Sequence, residues 1–150
     1  MGIVIRMLEE RDIEAVSEIE ADSFSMPWSP SDFADLLKRS YCIYLVAESE
    51  GRIVGSAGMT VVCDEGNIDN VVVGRMHRGQ GIAQQMLAKL IEIGEAQGIG
   101  AFTLEVRVSN AAAIHVYSKA GFVSEGIRPN FYEKPREDAM IMWRRKNKKW

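Results

Sequence analysis

Residues 71–87 read VVVGRMHRGQGIAQQML: a run of β-branched residues, a glycine-containing turn, and a helical pattern with almost no linker between them. A valine run of this kind suits a strand buried on both faces. The helix that follows is predicted over residues 79–96, where Ile82, Met86, Leu90 and Ile93, with Ala83 and Leu87, form a broad apolar face. The first turn of a helix leaves backbone N–H groups unpaired and carries a partial positive charge of about half a unit, so an anion is stabilised there. Gly79 and Gly81 would let a phosphate approach those amides closely, and they equally fit a plain tight turn. Two other glycine-rich patterns are excluded. The dinucleotide pattern G-x-G-x-x-G fails at Gln84, and no G-x-x-x-x-G-K-[ST] run occurs.

The rest of the chain alternates elements around this junction. Residues 3–7 read as a short strand, and residues 11–21 as a helix with Ile13, Val16 and Ile19 at helical spacing. A second helix opens at SPSDF, with Ser29 as cap, Pro30 in the first turn and Asp32 completing a capping-box variant. Strands at 43–48, 53–62 and 67–73 are separated by ESEGR and CDEGN, which predicts an antiparallel meander. After the long helix, AFTLEVRV sends Phe102, Leu104, Val106 and Val108 to one face and Thr103, Glu105 and Arg107 to the other. A helix over 110–119 and strands at 122–127 and 138–144, flanking an irregular loop, complete the order β-α-α-β-β-β-α-β-α-β-β. At 150 residues and 47% hydrophobic, the chain is expected to form a single domain over 1–150 that buries about 70% of its unfolded surface.

Composition narrows the function. Five cations of the tail at 144–150 mask an acidic body with 13 basic against 21 acidic side chains, which disfavours nucleic acid and suits either a cationic partner or a solvated surface. The tail itself reads as a frayed basic terminus. Cys42 and Cys63 are scattered and expected to be small core residues. With His77 and His115 they complete no metal-ligand spacing, so no metal is expected. Without an apolar run of ~20 residues or a signal-peptide pattern, the expectation is a soluble cytoplasmic protein with no membrane partner.

The pattern R-x-x-G-x-A at Arg78, Gly81 and Ala83, behind a strand ending NVVV, resembles the acetyl-CoA loop of the GCN5-related N-acetyltransferases. LEVRVSNAAAIHVYSKAGF at 104–122 is more specific and resembles the ribosomal-protein alanine N-acetyltransferases of the RimI type. PWS at 27–29, RPNFY at 128–132 and EDAMIM at 137–142 do so too. His77, and Gly74-Arg75 in place of Asp-Pro, depart from the common loop. The resemblance implies a mixed α/β fold of the α+β type: a mostly antiparallel sheet of about seven strands, a splayed central parallel pair, and about four helices. It implies acetyl-CoA as cosubstrate, its diphosphate on the amides of Gly79, Gln80, Gly81, Ile82, Ala83 and Gln84. Its pantetheine arm would then pair with Val71, Val72 and Val73.

By the same resemblance Glu105 is the general base, partial burial raising its pKa, and Tyr117 is the general acid toward the departing CoA sulfur. Asn110 and Tyr117, seven residues apart, share a helix face, and Asn110 serves as helix cap, as a contact to pantetheine, or as both. Glu105 alone fits equally an ion pair with Arg107, and Tyr117 alone a core position. Arg78 fits either a phosphate contact or a solvated side chain. The acceptor implied is a protein N-terminus, the N-terminal alanine of the eighteenth small-subunit ribosomal protein, held by Phe24, Trp28, Arg128, Asn130, Phe131 and Tyr132; ordinary loop packing is the other reading of these residues. Transfer would be direct, in a ternary complex. A lysine side chain or a small amine such as a polyamine is the alternative acceptor, and a non-catalytic acyl-CoA sensor the alternative class. The intact set Glu105, Asn110 and Tyr117 argues against a sensor.

Overall fold

The computed structural model describes residues 2–24 and 27–145. Seven strands form one sheet in the order β1-β2-β3-β4-β5-β7-β6, where β1 is Val4–Met7, β2 Cys42–Ser49, β3 Arg52–Val62, β4 Glu65–Val73, β5 Ala101–Arg107, β6 Val123–Glu133 and β7 Arg136–Arg145. All neighbours are antiparallel except β4 and β5. The helices among the described residues are α1 (Ile13–Ser23), α2 (Pro30–Leu36), α3 (Ile82–Ala96) and α4 (Ala111–Lys119), with 3-10 turns at Glu10–Asp12 and Arg75–His77. The expected mixed, mostly antiparallel architecture with one parallel pair is therefore present.

Both faces of the meander β2–β4 are covered. On one side α3 lays Ile82, Met86, Leu87, Leu90 and Ile91 against Leu45, Ala57, Met59, Ile68, Phe102 and Leu104. Ile91, not the expected Ile93, belongs to the deep stripe, and Ile93 is only partly buried at its rim. Gly94 is small for a reason: a Cβ there would come within 2.7 Å of the Phe102 ring. On the other side α1 and α2 enclose Val16, Phe33, Leu36, Tyr44 and Val46. The α2 cap forms as expected, Ser29 Oγ accepting from the Asp32 N–H at 3.2 Å and Asp32 Oδ2 from the Ser29 N–H at 2.9 Å.

Three expectations need correction. The irregular loop after residue 127 is strand: β6 continues to Glu133 and pairs with β7, with a register shift between Arg128 and Tyr132 where Asn130 takes φ 54°. Residues 79–81 are a turn, and α3 begins only at Ile82. Cys63 is not a core residue on a strand; it occupies the exposed β3–β4 turn with φ 56°, while Cys42 opens β2 and is half-buried. Of the basic tail, Arg144 and Arg145 end β7, and residues 146–150 lie outside the described residues.

Tyr44 links the second core to the sheet beneath it. Its ring lies over Gly58, where a Cβ would sit 2.4 Å from ring carbons. Substituting Gly58→Ala is expected to displace this ring and lower stability by about 1–3 kcal/mol, as overpacking does, read as a reduced urea midpoint with an unchanged m-value.

Candidate active site

The parallel pair is joined over only three positions, Glu65, Gly66 and Asn67 opposite Ala101, Phe102 and Thr103. Beyond them β4 continues its ladder with β3 as far as Val73, so the edge turned toward β5 is left without a strand partner. Ala57 pairs with Val71 and Met59 with Ile68, so Gly58 alone faces two residues, Asp69 and Asn70. This is a β-bulge, which bends the strand and re-aims side chains. The splay therefore starts with the register, and the bulge carries it through.

At the end of β4, Gly79 and Gly81 both adopt φ 79°, a left-handed geometry that favours glycine, with no atom within 4 Å of where either Cβ would lie. Gly81 is the N-cap of α3 and offers no side chain to the first turn. The N–H groups of Ile82, Ala83 and Gln84 precede the first intrahelical donor, Gln85, which bonds the Gly81 carbonyl at 3.1 Å. Open amides, a favourable dipole and unobstructed approach fit a diphosphate. The free edge at Val71–Val73 fits an amide-bearing arm, although Arg78 Nε already donates to the Val73 carbonyl at 3.0 Å and its Nη2 to Ser23 Oγ at 3.3 Å. Arg78 is exposed to solvent and at the same time ties the strand end to α1. Gln84 Nε2 donates to the Val116 carbonyl at 3.1 Å and joins α3 to α4. Its buried Oε1 has no partner among the described residues.

The splay opens into a cleft of about 730 Å³ walled by the end of α1, β4, the end of β5, α4 and the β6–β7 hairpin. Among the residues predicted from sequence, Phe24, Val71, Glu105, Asn110, Tyr117, Phe131 and Tyr132 line it. Val72, Val73 and the loop at 78–84 lie beyond this lining, at the other end of the splayed strand. Trp28 sits instead in the second core, 5.4 Å from Phe33 and 6.0 Å from Tyr44 between ring centroids. The Asn130 N–H bonds Asp138 Oδ1 at 2.9 Å within the hairpin. Arg128 lies over the Phe131 ring at 5.2 Å and reaches Glu105 Oε1 at 4.0 Å. Ser25 and Met26, which the sequence places between Phe24 and Trp28, are outside the described residues.

Glu105 is half-buried and points away from Leu104 and Val106, as the alternation predicts. It does not pair with Arg107. That guanidinium is engaged elsewhere, with Glu137 at 3.3 Å, the Pro135 and Lys134 carbonyls at 2.9 and 3.2 Å, and the Tyr132 ring at 4.3 Å. Glu137 also accepts the Ser109 N–H at 2.7 Å, and these bonds hold its carboxyl below its ordinary value. Asn110 caps α4 through the Ala113 N–H at 3.2 Å and lines the cleft as well. Tyr117 is 8% exposed. Burial, and then the neighbouring Tyr132, push its phenol well above the ordinary value, so it stays protonated through the neutral range.

Sequence reasoning passed over Glu20, Asp69, Asn70 and Arg107, which also line the cleft. Glu20 is fully buried, accepting from Tyr44 Oη at 2.7 Å and from Asn70 Nδ2 at 3.0 Å, with burial raising its pKa against those bonds. The signal for it was present: Glu20 falls on the apolar stripe of α1, four residues after Val16. Asp69 carries a weaker signal than Glu105, because β4 also holds Glu65, Asn67 and Asn70.

Comparison with known proteins agrees with this geometry. The profile of the acetyltransferase (GNAT) family matches residues 13–122. A Bacillus subtilis (strain 168) protein, named provisionally as a ribosomal protein bS18-alanine N-acetyltransferase, is 38% identical over 140 residues, 93% of each chain. The Escherichia coli (strain K12) ribosomal protein bS18-alanine N-acetyltransferase is 36% identical over 140 residues, 92% of this chain and 94% of that one. The crystal structure of the ribosomal-protein-S18-alanine N-acetyltransferase from Escherichia coli superposes with a TM-score of 0.88 at 33% identity, over 99% of this chain and 97% of the other. The chain thus belongs to the acetyltransferase (GNAT) family and is an acetyl-CoA-dependent N-acetyltransferase.

Proposed function

We propose that this enzyme, as a single catalytic domain over residues 1–150, acetylates the N-terminal α-amine of a protein. The acceptor is the N-terminal alanine of ribosomal protein bS18, the substrate in the names of its full-length relatives. A ribosomal acceptor places the reaction in the cytoplasm, and no helix among the described residues is long and apolar enough to cross a membrane. The observation that carries the reading is the convergence of Glu105, Asn110 and Tyr117 on one cleft at the mouth of the splay.

The amides of 79–84 hold the diphosphate of acetyl-CoA, and the free edge of β4 at Val71–Val73 aligns its arm toward the cleft. Glu105 takes the proton from the incoming ammonium, directly or through water, so that a neutral amine attacks the thioester carbonyl. Tyr117 gives its phenolic proton to the departing sulfur. No step needs a covalent enzyme intermediate, and neither cysteine lies in the cleft lining. Phe24, Phe131 and Tyr132 form the apolar wall for the first residues of the acceptor, and Arg128 and Asn130 shape the hairpin that carries it, with Trp28 supporting from the second core.

Incubation with acetyl-CoA and three acceptors tests the substrate: an alanine-initiated peptide, the same peptide N-terminally blocked but containing lysine, and a polyamine. CoA release and an increment of ~42 daltons, the mass of one acetyl group, are expected on the free N-terminus alone. Modification of the blocked peptide or the polyamine would move the acceptor class, and no release with any of them would favour a sensor. Tyr117→Phe is expected to lower kcat by about 10²–10³, in the range of general acid catalysis, with acetyl-CoA affinity unchanged by calorimetry; undiminished turnover would remove Tyr117 from the acid role.

A further inference from the structure

Asp69 stands where the pairing of β4 and β5 lapses. The last paired residues are Asn67 and Thr103, so the parallel register carried two residues further sets Asp69 beside Glu105. Both side chains leave the sheet on the face away from α3, because their neighbours Ile68 and Leu104 are buried in the core on the α3 side. Both line the same cleft. Thr60 Oγ1 donates to Asp69 Oδ2 at 2.8 Å, which fixes the carboxylate and leaves Oδ1 free to accept.

Among the described residues Asp69 forms no ion pair, and Glu105 has only Arg128, at 4.0 Å. Arg107, the arginine of the lining, is consumed by the hairpin, and Lys134, the lysine of the lining, forms no ion pair with either acid among the described residues. Asp69 is open to the water of the cleft yet ringed by protein, so desolvation raises its pKa, and the charge of Glu105 raises it further. A separate feature points to a ligand at the same place. Tyr117, 8% exposed, lines this cleft, and its hydroxyl has no hydrogen-bond partner among the described residues.

We infer that Asp69 and Glu105 together receive the acceptor as a primary ammonium ion, Asp69 holding the charge while Glu105 takes the proton. The inference rests on the acetyl-transfer reading above and adds a specificity-determining residue to it. In the balanced step the ammonium gives one proton to Glu105, and the amine lone pair forms the C–N bond as the C–S bond breaks. The amine loses a second proton as the amide forms. Tyr117 supplies the proton that leaves on the thiol and is reprotonated, and one proton per turnover goes to solvent. Asp69 ends the cycle unchanged.

The test compares wild type with Asp69→Asn, a substitution of the same shape that can still accept from Thr60. Steady-state kinetics use the alanine-initiated peptide. Calorimetry measures binding of that peptide, and of its analogue lacking the α-amino group, to enzyme saturated with CoA. Asp69→Asn is expected to raise the peptide KM about tenfold with kcat within about threefold, the loss of one charge contact, and to leave CoA affinity unchanged. Wild type is expected to bind the amine about tenfold more tightly than the analogue, and the variant to show little preference. If Asp69→Asn melts early, Asp69→Ser provides the same readouts. A variant with the wild-type KM and the wild-type amine preference overturns the role of Asp69. A wild type that acetylates no peptide sinks the substrate reading instead, so the two failures are distinct.

Discussion

The structure turns on a short parallel pairing. In a closed sheet every backbone N–H and C=O of a central strand is bonded on both sides, and a buried group left unpaired costs about as much as a lost hydrogen bond. Here β4, the fourth of seven strands, gives up its β5 side after Asn67 while keeping its β3 side to Val73. The exposed edge is an unfilled half-ladder in the middle of the molecule. Its demand is met by water or by an extended ligand that carries amides, and acetyl-CoA carries them in its pantetheine arm. The loop at 79–81 lies beyond that edge, so one strand end presents the ladder and the helix start presents open amides.

An opening of this kind must be braced, since closing it would recover hydrogen bonds. The bulge at Asp69 and Asn70 bends β4 away from β5, and Asn70 is drawn toward α1 by Glu20. Glu20 is itself held by Tyr44, whose ring rests on Gly58, the residue opposite the bulge. Burying a carboxylate among neutral partners is unfavourable unless its lone pairs are used. Tyr44 and Asn70 use them, and the result is a tie between α1, β2 and β4 across the mouth of the cleft. Arg78 repeats the device one turn further on, joining the Val73 carbonyl to Ser23 at the end of α1.

Local periodicity made most of this legible in the sequence. The valine run, the glycines and the apolar face of α3 located the strand, the turn and the helix, and alternation in AFTLEVRV put Glu105 on the open face. Three features escaped because they depend on residues far apart in the chain. Pro129 and Asn130 carry turn signals and do interrupt the ladder, but β6 resumes at Tyr132 because β7 supplies partners on the far side of the irregularity. Trp28, an aromatic in a loop, is claimed by Phe33 and by Tyr44 sixteen residues on. The bulge at Asp69 and Asn70 exists only in the register between β3 and β4, which no single segment encodes.

The distribution of charge over β5 shows how the cleft keeps its sign. Glu105 and Arg107 are two residues apart on one face and would neutralise each other if both were free. Arg107 is instead held by Glu137, by two hairpin carbonyls and by the Tyr132 ring, which ties the β6–β7 hairpin to β5 and engages the cation away from Glu105. The same contacts that build the aromatic wall thereby leave the carboxylates of Glu105 and Asp69 facing the opening. An amine attracted as an ammonium ion leaves as a neutral amide, so the reaction erases the charge on which the attraction depends.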